Sequence, residues 1–421
     1  MASFKFLHAA DLHLDSPLTG LAEKSEGLSR RIDDASRSAF TRLVQLAIAE
    51  ECAFVIIAGD LFDGQWRDYR TGVYFASQMS LLRDVGIPVY IILGNHDAEN
   101  RLTARLPAVD NVKLFSARAP ETVRIESLQT AIHGQSFPAR DVSANLAAAY
   151  PSPVPGWLNI GILHTALEGR EGHALYAPCE VDQLKNHGYD YWALGHVHEY
   201  GLQIGSSKSE APYVVYSGVL QGRNIREIGP KGVVLVSVQD GAVTDVASVP
   251  LDSVRWAITR VDISDAADLE SVTVAAREAL EREFDAVGER SLAVRVVLTG
   301  PTALHRKLAA SRAEVRELVE TAAAGISSEI WIEKVELRTT DLFQQTTSET
   351  VDPTIIGKLR VEVELRARDT QFRERIANYF AEIKTKIPAG ACDEVAAEQI
   401  INEAAEAAKE LARALLEKGL E

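Results

Sequence analysis

The first half of the sequence places a metal-ligand type of side chain directly after each of several short apolar runs. These side chains, in chain order, are Asp11, His13, Asp60, Asn95, His164, His196 and His198. The apolar runs have the composition of buried β-strands, and the carboxyl ends of parallel strands meet in one crevice of an α/β sheet. Mixed imidazole, carboxylate and carboxamide donors suit Mn²⁺, Fe, Zn²⁺ or Mg²⁺. The spacing therefore predicts that these residues bind two divalent metal ions.

A two-metal site suits the hydrolysis of a phosphate ester. Asp60 is the expected bridging ligand, because it lies in the sharpest of these turns and each of its oxygens can serve one metal. Ions about 3.5–4 Å apart contact both the attacking and the leaving oxygen of an in-line displacement. With two ionised aspartates and a hydroxide, such a cluster carries a net charge of about +1, which attracts a phosphodiester.

His96 is the expected catalytic residue beside the metals. Its neighbour Asn95 is assigned to a metal, so His96 remains to protonate the leaving oxygen or to stabilise charge on the phosphate. Asp97 is the expected partner that orients the His96 ring. General acid help of this kind is typically worth about 10²–10⁴ in rate.

Residues that contact the substrate have weaker signals in the sequence. Arg223 and Arg226, in QGRNIREIGPKG, are candidate phosphate contacts, and a solvated strand edge is the alternative. Trp66 and Arg67 follow the motif GDLFDG and are candidates to stack on or clamp the substrate at the rim of the site. Asp63, within that motif, is a candidate substrate contact and is expected to orient ligands, with a surface carboxylate as the alternative.

Strands that alternate with amphipathic helices indicate an α/β layered fold for this half of the chain. Apolar residues recur at three- and four-residue spacing in residues 31–50 and 75–82, which predicts a helix in each segment. Residues 118–155 show no clear pattern. The predicted strands are Phe4–His8, Phe54–Ala58, Val89–Leu93, Leu158–Leu163, Tyr191–Leu194, Val214–Tyr216 and Val233–Val238.

Three regions follow from this pattern. Residues 1–250 form the first domain, and residues 251–338 show a β-α-β-α-β order that predicts a smaller α/β domain. Residues 339–421 begin with a polar, threonine-rich linker. They continue with two amphipathic helices around a break at 388–390, which predicts a helix-loop-helix that needs a partner surface.

Composition limits the function classes. The chain of 421 residues has a net charge of −16, so it lacks the global basic footprint of many nucleic-acid binders. Its three widely spaced cysteines favour a reducing compartment over a disulfide framework. No apolar run is long enough for a membrane span. We expect a cytoplasmic protein that does not bind membranes.

The order of these motifs resembles that of the calcineurin-like metallophosphoesterase superfamily. The shared pieces are D-x-H, GD-x-x-D, GNHD, a strand-end histidine and GH-x-H, which span residues 4–240. The segments ADLHLDSPL, LHTALEGREGHALYAPC and YDYWALGHVHEY look like the bacterial YhaO-like branch. That branch is similar to SbcD, the nuclease subunit of a DNA repair complex.

The resemblance implies a four-layer α/β/β/α core, a small α/β capping domain and a C-terminal helical segment that binds an SMC-like ATPase. It implies a DNA exonuclease and endonuclease that uses two divalent ions, usually Mn²⁺. Several such nucleases carry a histidine that contacts the substrate where this chain has Asp63. Carried over by residue, one metal binds Asp11, His13, Asp60 and His198, the other binds Asp60, Asn95, His164 and His196, and His96 is the catalytic histidine that binds no metal.

Three functions compete. The first is a metal-dependent DNA nuclease that acts in double-strand break repair with an ATPase partner. The sequence leaves open whether this protein forms a homodimer. The second is a phosphatase or phosphodiesterase for nucleotides or other small phosphoesters at the same metal centre. The third is a scaffold with a vestigial site, against which the intact ligand set argues.

Overall fold

The protein is described from a computed structural model that covers residues 3–19, 21, 34–63, 70–98, 109–167, 176–204 and 212–342. The chain divides into two compact units. The first contains the residues up to Ala257 and the short return segment Glu289–Ala293, and the second contains Ile258–Gly288 and the chain from Val294 onward. The predicted ligands all lie in the first unit.

Two six-stranded sheets form the frame of the first unit. In the first sheet the order is β12-β11-β1-β2-β3-β4, and β1 to β4 are parallel neighbours. The bounds are β1 Phe4–Ala9, β2 Phe54–Ala58, β3 Val89–Ile92, β4 Val112–Leu114, β11 Gly232–Gln239 and β12 Ala242–Pro250.

The second sheet has the order β5-β6-β7-β8-β10-β9, with parallel pairing from β6 through β10. Antiparallel strands flank it, because β5 pairs with β6 and β9 pairs with β10. The bounds are β5 Glu121–Ile125, β6 Thr130–Gly134, β7 Leu158–His164, β8 Tyr191–Gly195, β9 Gly201–Ile204 and β10 Tyr213–Tyr216.

Helices cover the outer faces of both sheets. Helices α1 (Ala35–Ala49) and α2 (Arg70–Asp84) pack on the first sheet. The short helices α3 (Asn95–Ala98), which follows β3, and α4 (Val181–Asn186) belong to the same unit, and α4 packs on the second sheet. The inner faces of the sheets share an apolar core. This is the α/β/β/α layering of a metallophosphoesterase fold, as the resemblance implied.

Burial of the central strands on both faces explains why continuous apolar runs form them. In β2, Val55 and Ile57 pack toward the helices, whereas Phe54, Ile56 and Ala58 pack toward the second sheet. Every residue of β2 is buried. Because side chains alternate along a strand, only a run of apolar residues satisfies both layers. The polar residues that follow the strands therefore lie at the edge of the core.

Most of a three-stranded sheet in the order β13-β14-β15 belongs to the second unit, and helices lie between its strands along the chain. The bounds are β13 Val254–Asp262, α5 Leu269–Val287, β14 Ser291–Thr302, α6 His305–Ala310, α7 Arg312–Ile326 and β15 Ile330–Asp341. Asp268 accepts a hydrogen bond at 2.8 Å from the backbone N–H of Ser271 and so caps α5. Helix α5 contacts α7, and α7 contacts β15.

Several elements differ from the sequence prediction. Residues 118–155 contain β5 and β6, which their pattern did not reveal. Helix α6 was not predicted, and β15 extends beyond residue 338 into the segment predicted as a linker. The helix-loop-helix predicted within residues 371–418 lies outside the described residues. No helix in the described ranges is long and apolar enough to cross a membrane.

Substitution of Gly161 tests how tightly β7, the strand that ends at His164, packs against its neighbours. A Cβ at Gly161 would lie against the ring of Trp192, which is fully buried and cannot move aside. We expect Gly161→Ala to lower the free energy of unfolding by about 1–3 kcal/mol, as overpacking does. Thermal and urea denaturation measure this loss. Gly325→Ala is the matched control, because nothing lies near its Cβ position, and an equal loss in both variants would contradict the prediction.

Candidate metal centre

The predicted ligands meet where the strands of both sheets end. Asp11 and His13 follow β1, Asp60 follows β2, and Asn95 begins α3 directly after β3. His164 is the last residue of β7, and His196 and His198 follow β8. The loops after β1 and β2 are joined by backbone hydrogen bonds, from Asp11 N–H to Gly59 O at 3.1 Å and from His13 N–H to Asp60 O at 3.0 Å.

Several of these residues have a left-handed backbone. The φ angles are 50° at Asp11, 41° at His13, 49° at Asp60 and 96° at His196. Such conformations in non-glycine residues cost about 1–3 kcal/mol each and persist where the surrounding structure imposes them. At these strand ends they turn the side chains of successive loops toward one volume.

His164 has a defined tautomer. Its Nδ1 donates a hydrogen bond to the carbonyl of Ala58 at 2.9 Å, so its Nε2 carries a lone pair. That Nε2 lies 2.9 Å from Asn95 Oδ1 and 3.6 Å from Asp60 Oδ2. Three electron-pair donors from three different strand ends therefore converge on one point.

His13 and His198 form a second group of donors. Their Nε2 atoms face each other at 3.3 Å, and His13 Nε2 lies 3.9 Å from Asp60 Oδ2. Among the described residues, the buried Nδ1 of His13 has no hydrogen-bond partner. His198 Nδ1 lies 2.7 Å from Glu227 Oε1, so Nδ1 carries a proton, and in the neutral ring the Nε2 lone pair points into the cluster.

Burial shapes the charges of the cluster. Burial and the adjacent Asp60 raise the pKa of Asp11 well above its usual value, although its carboxylate accepts a 3.0 Å hydrogen bond from the N–H of His196. Burial and the charge of Arg223 hold the pKa of His13 well below its usual value. Neutral imidazoles beside buried carboxylates are the donors that divalent cations bind. The residues present therefore fit the metal centre.

Geometry alone groups five of the same side chains, and it also groups His13 with Asp63 and His96. Asp11, His13 and His198 have potential ligand atoms within 4.8 Å of one another, and so do Asp11, Asp60 and His164. His196 adjoins the second group, because its ring meets that of His164 edge to face with centroids 5.3 Å apart. The structure brings all of the predicted ligands together in one cluster.

His96 lies at the exposed side of this cluster, with a side chain that is 34% accessible. Its Nδ1 lies 3.0 Å from Asp63 Oδ1, and its ring meets that of His13 with centroids 5.1 Å apart. Burial lowers the pKa of His96, but the hydrogen bond to Asp63 and the charge of Asp60 outweigh burial, and the net shift raises the pKa. His96 is therefore suited to carry a proton.

Asp63, and not Asp97, is the partner of His96, which corrects the sequence prediction. The Asp97 carboxylate accepts hydrogen bonds from the backbone N–H groups of Leu61 at 3.0 Å, Phe62 at 3.1 Å and Gly94 at 3.1 Å. Adjacent residues of the short helix α3 point in different directions, so Asp97 turns into the core and His96 turns out. Asp97 therefore ties the turn after β2 to the turn after β3.

The candidate substrate contacts have different positions. Arg223 lies at the cluster, with its guanidinium 3.5 Å from Asp63 Oδ2, from Glu227 Oε1 and from His198 Nδ1. Arg226 is exposed, and its described hydrogen bond joins only its backbone N–H to the side chain of Asn224. Trp66 and Arg67 lie outside the described residues. The structure therefore brings only Arg223 and Asp63 of these candidates to the cluster.

Glu227 is a site residue that sequence reasoning did not identify. Besides its contact with His198, its Oε2 accepts a hydrogen bond from the backbone N–H of Arg223 at 2.6 Å. Burial opposes its ionisation, but the bond to His198 and the charge of Arg223 prevail and lower its pKa to about 2. Its place in the RNIRE segment beside Arg223 was the available signal.

Models of two known protein families match this chain. The family model of calcineurin-like phosphoesterases matches residues 4–200, and that of the middle domain of metallophosphoesterase YhaO matches residues 256–340. An uncharacterized metallophosphoesterase YhaO of Bacillus subtilis is 35% identical over 325 residues, which cover 76% of this chain and 77% of the relative.

More distant relatives include DNA double-strand break repair proteins. Mre11 of Methanopyrus kandleri is 27% identical over 229 residues, covering 50% of this chain and 48% of the relative, and Mre11 of Aeropyrum pernix is 26% identical over 245 residues, covering 54% and 56%. The chain thus spans about half the length of these proteins. A dimetal phosphatase from Danio rerio is 12% identical with a TM-score of 0.34, over 56% of this chain and 93% of that chain.

The structural role of Asp97 is open to a direct test. We expect Asp97→Asn to lower the free energy of unfolding by about 1–3 kcal/mol. The amide nitrogen of asparagine would face one of the backbone N–H groups that now donate hydrogen bonds to the carboxylate. Thermal denaturation in the presence of EDTA measures this effect without bound metal. The matched control is Asp63→Asn, whose side chain is 31% accessible and should cost less. A larger loss in the control would contradict the role.

Proposed function

Because this chain belongs to the calcineurin-like metallophosphoesterases, and within them to the YhaO-like proteins, we propose that it is a metal-dependent DNA nuclease. The protein is a metallophosphoesterase, and its candidate metal-ligand cluster suits two divalent ions. We propose Mn²⁺ as the preferred ion, with Mg²⁺, Fe or Zn²⁺ as alternatives. The observation that carries the proposal is the convergence of histidine lone pairs and buried carboxylates beside one protonatable histidine.

The ligand assignment is carried over from the family resemblance. One cation would be held by Asp11, His13, Asp60 and His198, and the other by Asp60, Asn95, His164 and His196. Asp60 could serve both, because its Oδ2 lies 3.9 Å from His13 Nε2 and 3.6 Å from His164 Nε2. Bound divalent cations supply Lewis-acid stabilisation of charge on the phosphate and of the attacking water.

His96 and Arg223 act on the substrate directly in this proposal. With Asp63 bound at Nδ1, the Nε2–H of His96 is the group that protonates the leaving oxygen. The guanidinium of Arg223, whose side chain is 18% exposed, lies 3.5 Å from the carboxylate of Asp63, the partner of His96. Its 3.5 Å contacts are long for hydrogen bonds, so its donors can turn to a phosphate oxygen.

DNA is the proposed substrate because the Mre11 relatives are DNA double-strand break repair proteins by name. We extend the proposal to a role in that repair, in the cytoplasm, with an SMC-like ATPase bound by the helices predicted in residues 371–418. The competing candidate is a phosphatase or phosphodiesterase for small phosphoesters. The net charge of −16 favours it, because a small substrate does not need a basic surface.

Cleavage of end-labelled duplex DNA tests the substrate and the role of His96 together. We expect wild type to degrade linear DNA with Mn²⁺ and not with EDTA. The His96→Ala variant should keep its metal content, measured by elemental analysis. Its rate of DNA cleavage should fall by about 10²–10⁴-fold, because the proton donor is lost. His305→Ala, in the second unit, is the matched control.

Two outcomes would contradict this proposal in different ways. Hydrolysis of a chromogenic phosphodiester with intact DNA would favour the small-substrate function. Loss of metal from the His96→Ala variant would show that His96 is a ligand and not the proton donor.

The C-terminal segment provides a separate test of the partner. Deletion of residues 371–421 should leave hydrolysis of a small chromogenic diester unchanged, because the cluster lies wholly in the first unit. The same deletion should abolish binding of the SMC-like ATPase in a pull-down with purified proteins. Equal capture of the ATPase by the full chain and the truncated chain would contradict the docking role.

A further inference from the structure

Glu227 uses both oxygens of its carboxylate in fixed hydrogen bonds. Oε1 lies 2.7 Å from Nδ1 of His198, and Oε2 accepts the backbone N–H of Arg223 at 2.6 Å. Its side chain is 11% exposed, so water does not replace these partners readily. The contact from Arg223 Nη2 to Oε1 is longer, at 3.5 Å. The ring of His198 is therefore the main side-chain partner of Glu227.

We propose that Glu227 is the positioning residue that sets the tautomer of His198. A carboxylate has no proton to give, so it requires the proton of the ring to be on Nδ1. In the neutral ring, which is the form that binds a cation, the other nitrogen, Nε2, then has the lone pair, and it points at the His13 side of the cluster. This inference rests on the proposed function, because a lone pair on Nε2 matters for binding a cation.

The backbone contact makes the replacement of this carboxylate unusually informative. In Glu227→Gln, one oxygen becomes an NH₂ group, which must face either the backbone N–H of Arg223 or Nδ1 of His198. The backbone N–H cannot change, so the amide oxygen stays with it. The NH₂ group then faces Nδ1, and the ring responds by moving its proton to Nε2. The glutamine thus keeps the shape of the side chain, but it favours a proton on Nε2 of His198, the ring atom that faces the cluster.

Packing and tautomer control predict opposite orders of effect. If Glu227 only fills space, Glu227→Ala should disturb the site more than Glu227→Gln, because alanine removes most of the side chain. If Glu227 sets the tautomer, glutamine should be at least as harmful as alanine, because it actively favours the wrong form. Mutation of a residue that hydrogen-bonds a metal-ligating histidine typically weakens metal affinity by about 10- to 100-fold.

The experiment is titration of the metal-free full chain with Mn²⁺, followed by isothermal calorimetry, for wild type and both variants. We expect Glu227→Gln to weaken Mn²⁺ binding about 10- to 100-fold and Glu227→Ala to weaken it no more than that. Nitrogen-15 NMR of the metal-free protein should show the proton of His198 on Nδ1 in wild type and on Nε2 in the glutamine variant. Thermal denaturation in EDTA confirms that each variant folds.

The matched control is Glu333→Gln. Glu333 has the same 11% side-chain exposure and pairs with Arg295 at 2.6 Å in the second unit, whereas the cluster belongs to the first unit. Its replacement should leave Mn²⁺ affinity unchanged.

The outcomes separate the inference from the function on which it rests. Unchanged Mn²⁺ affinity in Glu227→Gln, or a much greater loss in Glu227→Ala than in Glu227→Gln, would overturn tautomer control and leave the metal centre in place. A wild-type chain that binds no divalent cation would overturn the proposed function, and this inference with it.

Discussion

The hydrogen bond from Nδ1 of His164 to the carbonyl of Ala58 joins the two sheets at the candidate metal centre. It fixes how closely the end of β7 approaches the end of β2, and it sets the tautomer of His164. The close approach depends on a missing side chain, because a Cβ at Gly195 would collide with both of these groups. The remaining donors are arranged around this contact by the loops after β1, β3 and β8.

Much of this arrangement was predictable from the sequence. A strand buried on both faces requires a run of apolar residues, so polar residues after the run lie at its end, and parallel strands bring such ends together. This reasoning needs only local sequence, and it grouped the residues that follow β1, β2, β3, β7 and β8, which lie close together in the structure. It chose Asp97 as the partner of His96, whereas Asp63 holds that place in the structure. That choice depends on which way each side chain leaves a turn.

Other features depend on contacts that are distant in sequence. Glu227 meets His198 across a separation of 29 residues, and no periodic pattern links them. Strand β5 has intermediate and exposed residues in alternation at a sheet edge, so its pattern is weak. The predicted end of the first domain, at residue 250, precedes the observed boundary at Ala257. Close to this boundary, the buried Asp252 binds Arg255 and Arg290. Arg290 belongs to the return segment Glu289–Ala293, which the sequence prediction assigned to the second domain.

The left-handed backbone at Asp11, His13, Asp60 and His196 bears on ionic selectivity. A chain held in such conformations by its neighbours cannot adjust freely to an incoming ion, so the separation of the donors is set in advance. By intrinsic affinity alone, copper and zinc would displace manganese from sites with nitrogen and oxygen donors. A rigid cage instead penalises ions whose radius or preferred coordination number differs from the one it presents. We therefore expect the strained loops to discriminate among metals of similar charge.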